Sequence, residues 1–120
     1  MPHLQKMVLR KDVEEASIRD GTARPVDLIH LSSQTFGDRS LQNEIISIFL
    51  SQANAYLDGI ASRDEAYAAR AAHSLKGAAR AIGAFRLAEI AEHCEVSKTR
   101  DIGALGAEAG KVCDYLRSLA

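Results

Sequence analysis

The chain has 120 residues, enough for one domain with a real core and too few for a nucleotide-binding catalytic domain beside it. Its 15 Lys and Arg against 16 Asp and Glu give no electrostatic case for a nucleic-acid or anionic-membrane binder, so proteins are the expected partners. No run approaches the ~20 apolar residues of a membrane span, the N-terminus lacks the apolar stretch of a signal peptide, and abundant Ala without Trp favours closely packed helices, so an all-α cytoplasmic protein is expected.

Residues 1–24 are charged and irregular and end in the breaker-rich run Asp20-Gly21-Thr22-Ala23-Arg24. They read as a flexible N-terminal extension, with the domain proper over 25–120. Pro25 suits the first position of a helix because its missing N–H has no partner to lose there. Val26, Leu28, Ile29 and Leu31 follow, and Phe36-Gly37 closes this short first helix. Asp38 has the chemistry of an N-cap for a second helix reaching about Ile60, with Leu41, Ile45, Ile48, Phe49, Gln52 and Tyr56 as its inward stripe. Ile46, Leu50 and Leu57 form a second apolar flank about 100–140° round the wheel. Either the first helix or the N-terminal extension covers that flank, or it belongs to a docking surface.

Ser62-Arg63-Asp64-Glu65 has the S-x-x-E form of a capping box and is expected to start a third helix. The Ala-rich stretch carries it to about Ile82, where Gly83 offers a left-handed stop. Phe85, Leu87, Ala88, Ile90, Ala91 and Cys94 pattern a fourth helix, a loop spans about Lys98 to Gly103, and Leu105, Ala109, Val112, Cys113, Leu116 and Leu119 pattern a fifth. Gly106 and Gly110 weaken its first half. The sum is an antiparallel up-and-down four-helix bundle with an additional short N-terminal helix. Cys94 and Cys113 have no CxxC or His-spaced companion and read as reduced core thiols.

On the third helix, Leu75 centres an inward stripe with Ala68, Ala71, Ala72, Ala78, Ala79 and Ile82 within ~60° of it. His73 then lies ~160° away and is expected in solvent, among Ala66, Ala69, Arg70, Lys76, Gly77 and Arg80. A lone histidine is most often structural or merely solvated. Here Lys76 at i+3 and Arg80 at i+7 are cations able to hold phosphoryl oxygens. Gly77 at i+4 costs ~1 kcal/mol relative to Ala in a helix interior, so something must come close to the helix surface there. A neutral imidazole has a free ring nitrogen near neutral pH that can attack a phosphoryl group in line.

The run His73-Ser74-Leu75-Lys76-Gly77-Ala78-Ala79-Arg80-Ala81-Ile82-Gly83-Ala84 resembles the HxxKG signature of the histidine-containing phosphotransfer (HPt) domains of bacterial multistep phosphorelays. The likeness runs over about residues 26–119, with the motif around His73 as its specific part. It implies a four-helix bundle that exchanges a phosphoryl group with the aspartate of a response-regulator receiver domain, including one on a hybrid histidine kinase. Mg²⁺ would be supplied by the receiver; the chain would need no cofactor of its own and would have no ATP site. Position by position, His73 becomes the phosphoryl acceptor, Lys76 the residue that steadies the phosphoryl charge, and Gly77 the clearance for the docking receiver. Arg80, Arg70 and Ala69 are candidate anion or docking contacts, Arg80 on the strength of the wheel rather than of the family pattern.

Two other readings compete. A histidine-kinase dimerisation and acceptor segment typically has an acidic residue after its acceptor His, where this chain has Ser74. A non-transferring adaptor would bind a receiver through the same helical face. Of the other histidines, His3 lies in the extension, His30 beside Ile29 and Leu31 reads as a packing residue, and His93 points ~100° from its neighbour Cys94, which argues against a shared metal. A monomer is expected, since the wheel gives one buried face per helix and the resemblance points the same way, with a dimer left open by the second apolar flank of the second helix.

Overall fold

In a computed structural model, which describes residues 24–97 and 100–119, aspartates start four of five helices. Asp27 accepts the N–H groups of Ile29 and His30 at 3.0 Å and opens α1 (Leu28–Gln34). Asp38 accepts from Leu41 and opens α2 (Arg39–Ile60), Asp64 accepts from Tyr67 and opens α3 (Glu65–Ile82), and Asp101 accepts from Ala104 at the start of α5 (Ile102–Leu119). Each carboxylate satisfies an amide that the first helical turn leaves without a partner. The remaining helix, α4 (Phe85–Val96), needs no such cap because it follows α3 across the two-residue turn Gly83-Ala84. No strand occurs among the described residues.

The four longer helices pack in a closed circuit, with α2 against α3 and α5 and α4 against α3 and α5. Ile46, Phe49, Ala53, Leu75, Ala79, Leu87, Ala91, Leu105, Val112 and Leu116 contribute to one continuous core. Alanines on α3 and α4 keep that hairpin close, since Ala68, Ala72, Ala79, Ala88 and Ala91 are all buried. Across the α2–α3 contact, Gly59 admits Ala71 and the Tyr67 ring; a Cβ on Gly59 would stand 2.8 Å from the Ala71 Cβ. Arg86 on α4 and the buried Glu108 on α5 approach to 3.4 Å and tie that pair of helices.

Short helix α1 rests on α3 and on the turn that follows it. Gly83 ends α3 with φ +85°, and its carbonyl accepts the Asp27 N–H at 2.9 Å. Val26 and Leu31 are buried in the common core. The connection to α2 turns sharply through Phe36 at φ +55° and Gly37 at φ +70°, while the buried Thr35 hydroxyl donates to the Leu31 carbonyl at 2.8 Å.

Several expectations need correction. The first helix begins at Leu28 under Asp27 rather than at Pro25. No Ser62–Glu65 capping box forms: Asp64 lies nearer the first turn and takes the cap, while the Ser62 hydroxyl accepts the Asp64 N–H at 3.2 Å. The buried stripe of α2 is Ile46, Phe49, Ala53, Gly59 and Ile60, about a quarter-turn from the expected one. Ile48 and Gln52 are exposed, and the supposed second flank is core, with Ile46 buried and Leu50 and Leu57 half-buried against it. Both faces of α2 are rich in large aliphatic residues, and it is the shape of α3 and α5 that selects between them. The last helix starts at Ile102, a turn earlier than Leu105, because Asp101 caps it and Gly103 is absorbed. Residues 1–23, with His3, lie outside the described residues, as do Lys98 and Thr99.

Candidate functional site

The wheel of α3 holds. Ala68, Ala72, Leu75, Ala79 and Ile82 are buried, Ala71 and Ala78 pack half-buried beside them, and the His73 side chain is 68% exposed on the far side. What the wheel of one helix leaves out is the partner helix. His73 Nδ1 lies 2.9 Å from Oε1 of Glu95 on α4, and the other oxygen of that carboxylate, Oε2, accepts from Lys76 Nζ at 2.7 Å. One carboxylate therefore engages both the ring and the ammonium one turn further on.

These contacts define which tautomer the neutral ring takes. The hydrogen bond from Lys76 is the largest influence on Glu95 and holds its carboxyl below the usual carboxylate range, with a smaller contribution from His73, against partial burial that acts the other way. At neutral pH Glu95 is ionised and can only accept, so Nδ1 carries the proton and donates it. In the neutral ring the lone pair then sits on Nε2, the ring nitrogen that makes no contact with Glu95. An imidazole fixed by a carboxylate in this way is oriented as well as tautomerically defined.

Lys76 is less exposed than its place on the wheel suggests: its side chain is only 14% accessible because it lies down toward α4. Arg80 is about half exposed, and its Nη2 stands 3.7 Å from Oε2 of Glu92. Gly77 is exposed, and a Cβ built on it would meet nothing within 4 Å. Arg70 lies 6.0 Å above the Tyr67 ring, a cation–π contact on the exposed side of α3, and Ala69 is half-buried. His73, Lys76 and Gly77 thus share one surface with Arg80, while Arg70 faces its own aromatic neighbour.

Glu95 and Glu92 are the residues that reading along one helix misses, although the sequence carries a signal for them. In a helical hairpin, side chains at equal distances from the turn come alongside one another. His73 is ten residues before Gly83 and Glu95 eleven after Ala84. On that count Glu92, eight after Ala84, falls level with Lys76, seven before Gly83, and its pairing with Arg80, three before Gly83, runs diagonally toward the turn.

The other candidates stay apart from this surface. His30 meets Phe85 edge-on with ring centroids 5.0 Å apart, a packing contact between α1 and α4. His93 is exposed while Cys94 is buried, so the two diverge. Burial raises the thiol pKa of Cys94 and of the half-buried Cys113, which keeps both protonated near neutrality. No group of three or more His, Cys, Asp and Glu able to hold a metal occurs among the described residues. No helix among them is long and apolar enough to cross a membrane.

Comparison with known proteins agrees with the motif. The family model described as Hpt domain matches residues 44–117, well over half of the chain and all of α3 and α4. No curated protein and no solved structure matches the chain.

Proposed function

The chain belongs to the Hpt domain family, and on that premise we propose that it is a phosphocarrier in which Nε2 of His73 exchanges a phosphoryl group with the aspartate of a response-regulator receiver domain. Family membership implies phosphotransfer in phosphorelay signalling and interaction with relay proteins; the acceptor atom, the partner class and the residue roles are our reading. The observation that carries it is the Nδ1–Glu95 hydrogen bond of 2.9 Å on a ring that is 68% exposed. This supports a neutral ring that keeps its proton on Nδ1 and offers Nε2 to an incoming protein.

In the forward direction the Nε2 lone pair attacks the phosphorus of an aspartyl phosphate in line. The phosphorus–oxygen bond to the aspartate breaks, and the carboxylate leaves with the electron pair. Nδ1 keeps its proton throughout, so the ring becomes cationic and Glu95 already stands beside it as the counter-charge. The return step runs along the same path. Lys76 adds positive potential one turn from the acceptor and steadies the phosphoryl charge. Gly77 leaves the surface bare beside His73, and since nothing inside the chain fills the space above it, the demand for glycine comes from the partner that docks there.

Several further assignments belong to this reading. Helices α2 to α5 form an antiparallel up-and-down four-helix bundle with α1 across one end, residues 25–120 are the domain, and 1–24 are its extension. The protein acts as a cytoplasmic monomer, takes label from a free receiver or a hybrid histidine kinase, and relies on Mg²⁺ in the receiver. It makes no use of ATP and serves as a carrier.

Mixing the full chain with a radiolabelled, phosphorylated receiver tests this directly. Label should pass to the chain as acid-labile, base-stable phosphate and should be absent from His73→Gln. Label retained by that variant would refute the assignment, and tight receiver binding without any transfer would favour an adaptor.

A further inference from the structure

Two cations adjoin His73, and they are committed to very different degrees. Lys76 is largely buried and bonded at 2.7 Å to the same carboxylate that holds Nδ1. Moving its ammonium to a phosphoryl group would loosen Glu95 from the ring just as the ring becomes cationic. Arg80 stands 3.7 Å from Glu92 with both side chains about half exposed, an ion pair too long and too wet to be worth much. It can be released cheaply.

Position favours Arg80 as well. Seven residues after His73 it points within ~20° of the same direction, about 10.5 Å along the axis, and helical side chains lean toward the N-terminus, which is toward His73. Gly77 lies between them and offers no side chain in the way, with open space above it. A guanidinium fork can take two phosphoryl oxygens at once, which an ammonium cannot do with fixed geometry.

We propose that Arg80 is the phosphoryl-binding cation of the charged carrier: on phosphorylation of His73 it leaves Glu92, crosses the bare surface at Gly77 and binds the phosphoryl oxygens, while Lys76 stays on Glu95. Glu92 is then a competitor that holds Arg80 in the uncharged protein. This division of labour rests on His73 being the acceptor.

Phosphoramidate, a small phosphoryl donor, allows the test without a receiver, so that docking plays no part. The full chain is labelled and the phosphohistidine followed by ³¹P NMR across pH. Arg80→Ala should raise the pH at which the phosphoryl group titrates by about half a unit, the scale of one exposed charge contact. Glu92→Gln, which frees Arg80, should lower it, and Arg80→Lys should recover part of the wild-type value. A titration left unmoved by Arg80→Ala, or moved the same way by Glu92→Gln, overturns the proposal while His73 remains the acceptor. Failure of His73 to take label at all overturns the acceptor assignment and this inference with it.

Discussion

Gly83 and Asp27 meet at backbone contact. The Asp27 N–H donates to the Gly83 carbonyl at 2.9 Å, and a Cβ on Gly83 would stand 2.7 Å from the Asp27 carbonyl oxygen. The glycine also holds φ +85°. Gly83→Ala therefore combines a left-handed penalty with a clash against main chain that cannot step aside, and it should cost more than ~1 kcal/mol. Urea unfolding should give a lower midpoint with an unchanged slope.

Gly77 predicts the opposite sign. Its surroundings are open, so Gly77→Ala should stabilise the free protein by up to ~1 kcal/mol through helix propensity. The same methyl intrudes on the surface beside His73 and should slow transfer from a phosphorylated receiver. A more stable variant with undiminished transfer would remove Gly77 from the docking surface.

Glu95 makes stability depend on pH in a defined direction. Its carboxyl is held below the ordinary value of 4.5, chiefly by Lys76. A group depressed in the folded state contributes fully above the unfolded value, and the contribution disappears as pH falls through the lower, folded one. Wild-type protein should lose denaturant resistance from about pH 5 downward, in part through this group. Glu95→Gln should show a flatter profile over that range, and an identical slope in both proteins would count against the shared carboxylate. The variant should also slow transfer, because an amide no longer fixes which ring nitrogen carries the proton.

Asp64 and Ser62 separate the two possible caps of α3. Asp64→Ala removes the acceptor for the Tyr67 amide and should cost about 0.5–2 kcal/mol. Ser62→Ala should stay within about 0.5 kcal/mol of wild type, as at most surface sites. Thermal unfolding of the two variants side by side is sufficient.

The five helices of the described residues and the exposed imidazole were legible in the sequence because each depends on periodicity within one segment. Leu75 and its alanines mark one face of α3, and His73 follows by rotation. Legibility failed where two segments decide together. Ile45 and Ile46 are equally apolar, and only α3 and α5 determine that Ile46 is buried and Ile45 half-buried. Ser62 and Asp64 are both competent caps, and the site of the first helical turn selects between them. Glu95 is invisible from α3 because its role exists only once α4 folds back. The signature marked the exposed imidazole, and the fold supplied the carboxylate that hydrogen-bonds it.

The strap of α1 across the α3–α4 turn sets the smallest autonomous piece of this protein. The family match starts at residue 44, yet Val26 and Leu31 fill the core and Asp27 closes on Gly83. A truncated fragment beginning at Arg39 would open a void beneath the hairpin that carries the imidazole and leave the Gly83 carbonyl bare. Fragments trimmed to the recognisable motif should therefore be fragile, and ones that keep Arg24 onward robust.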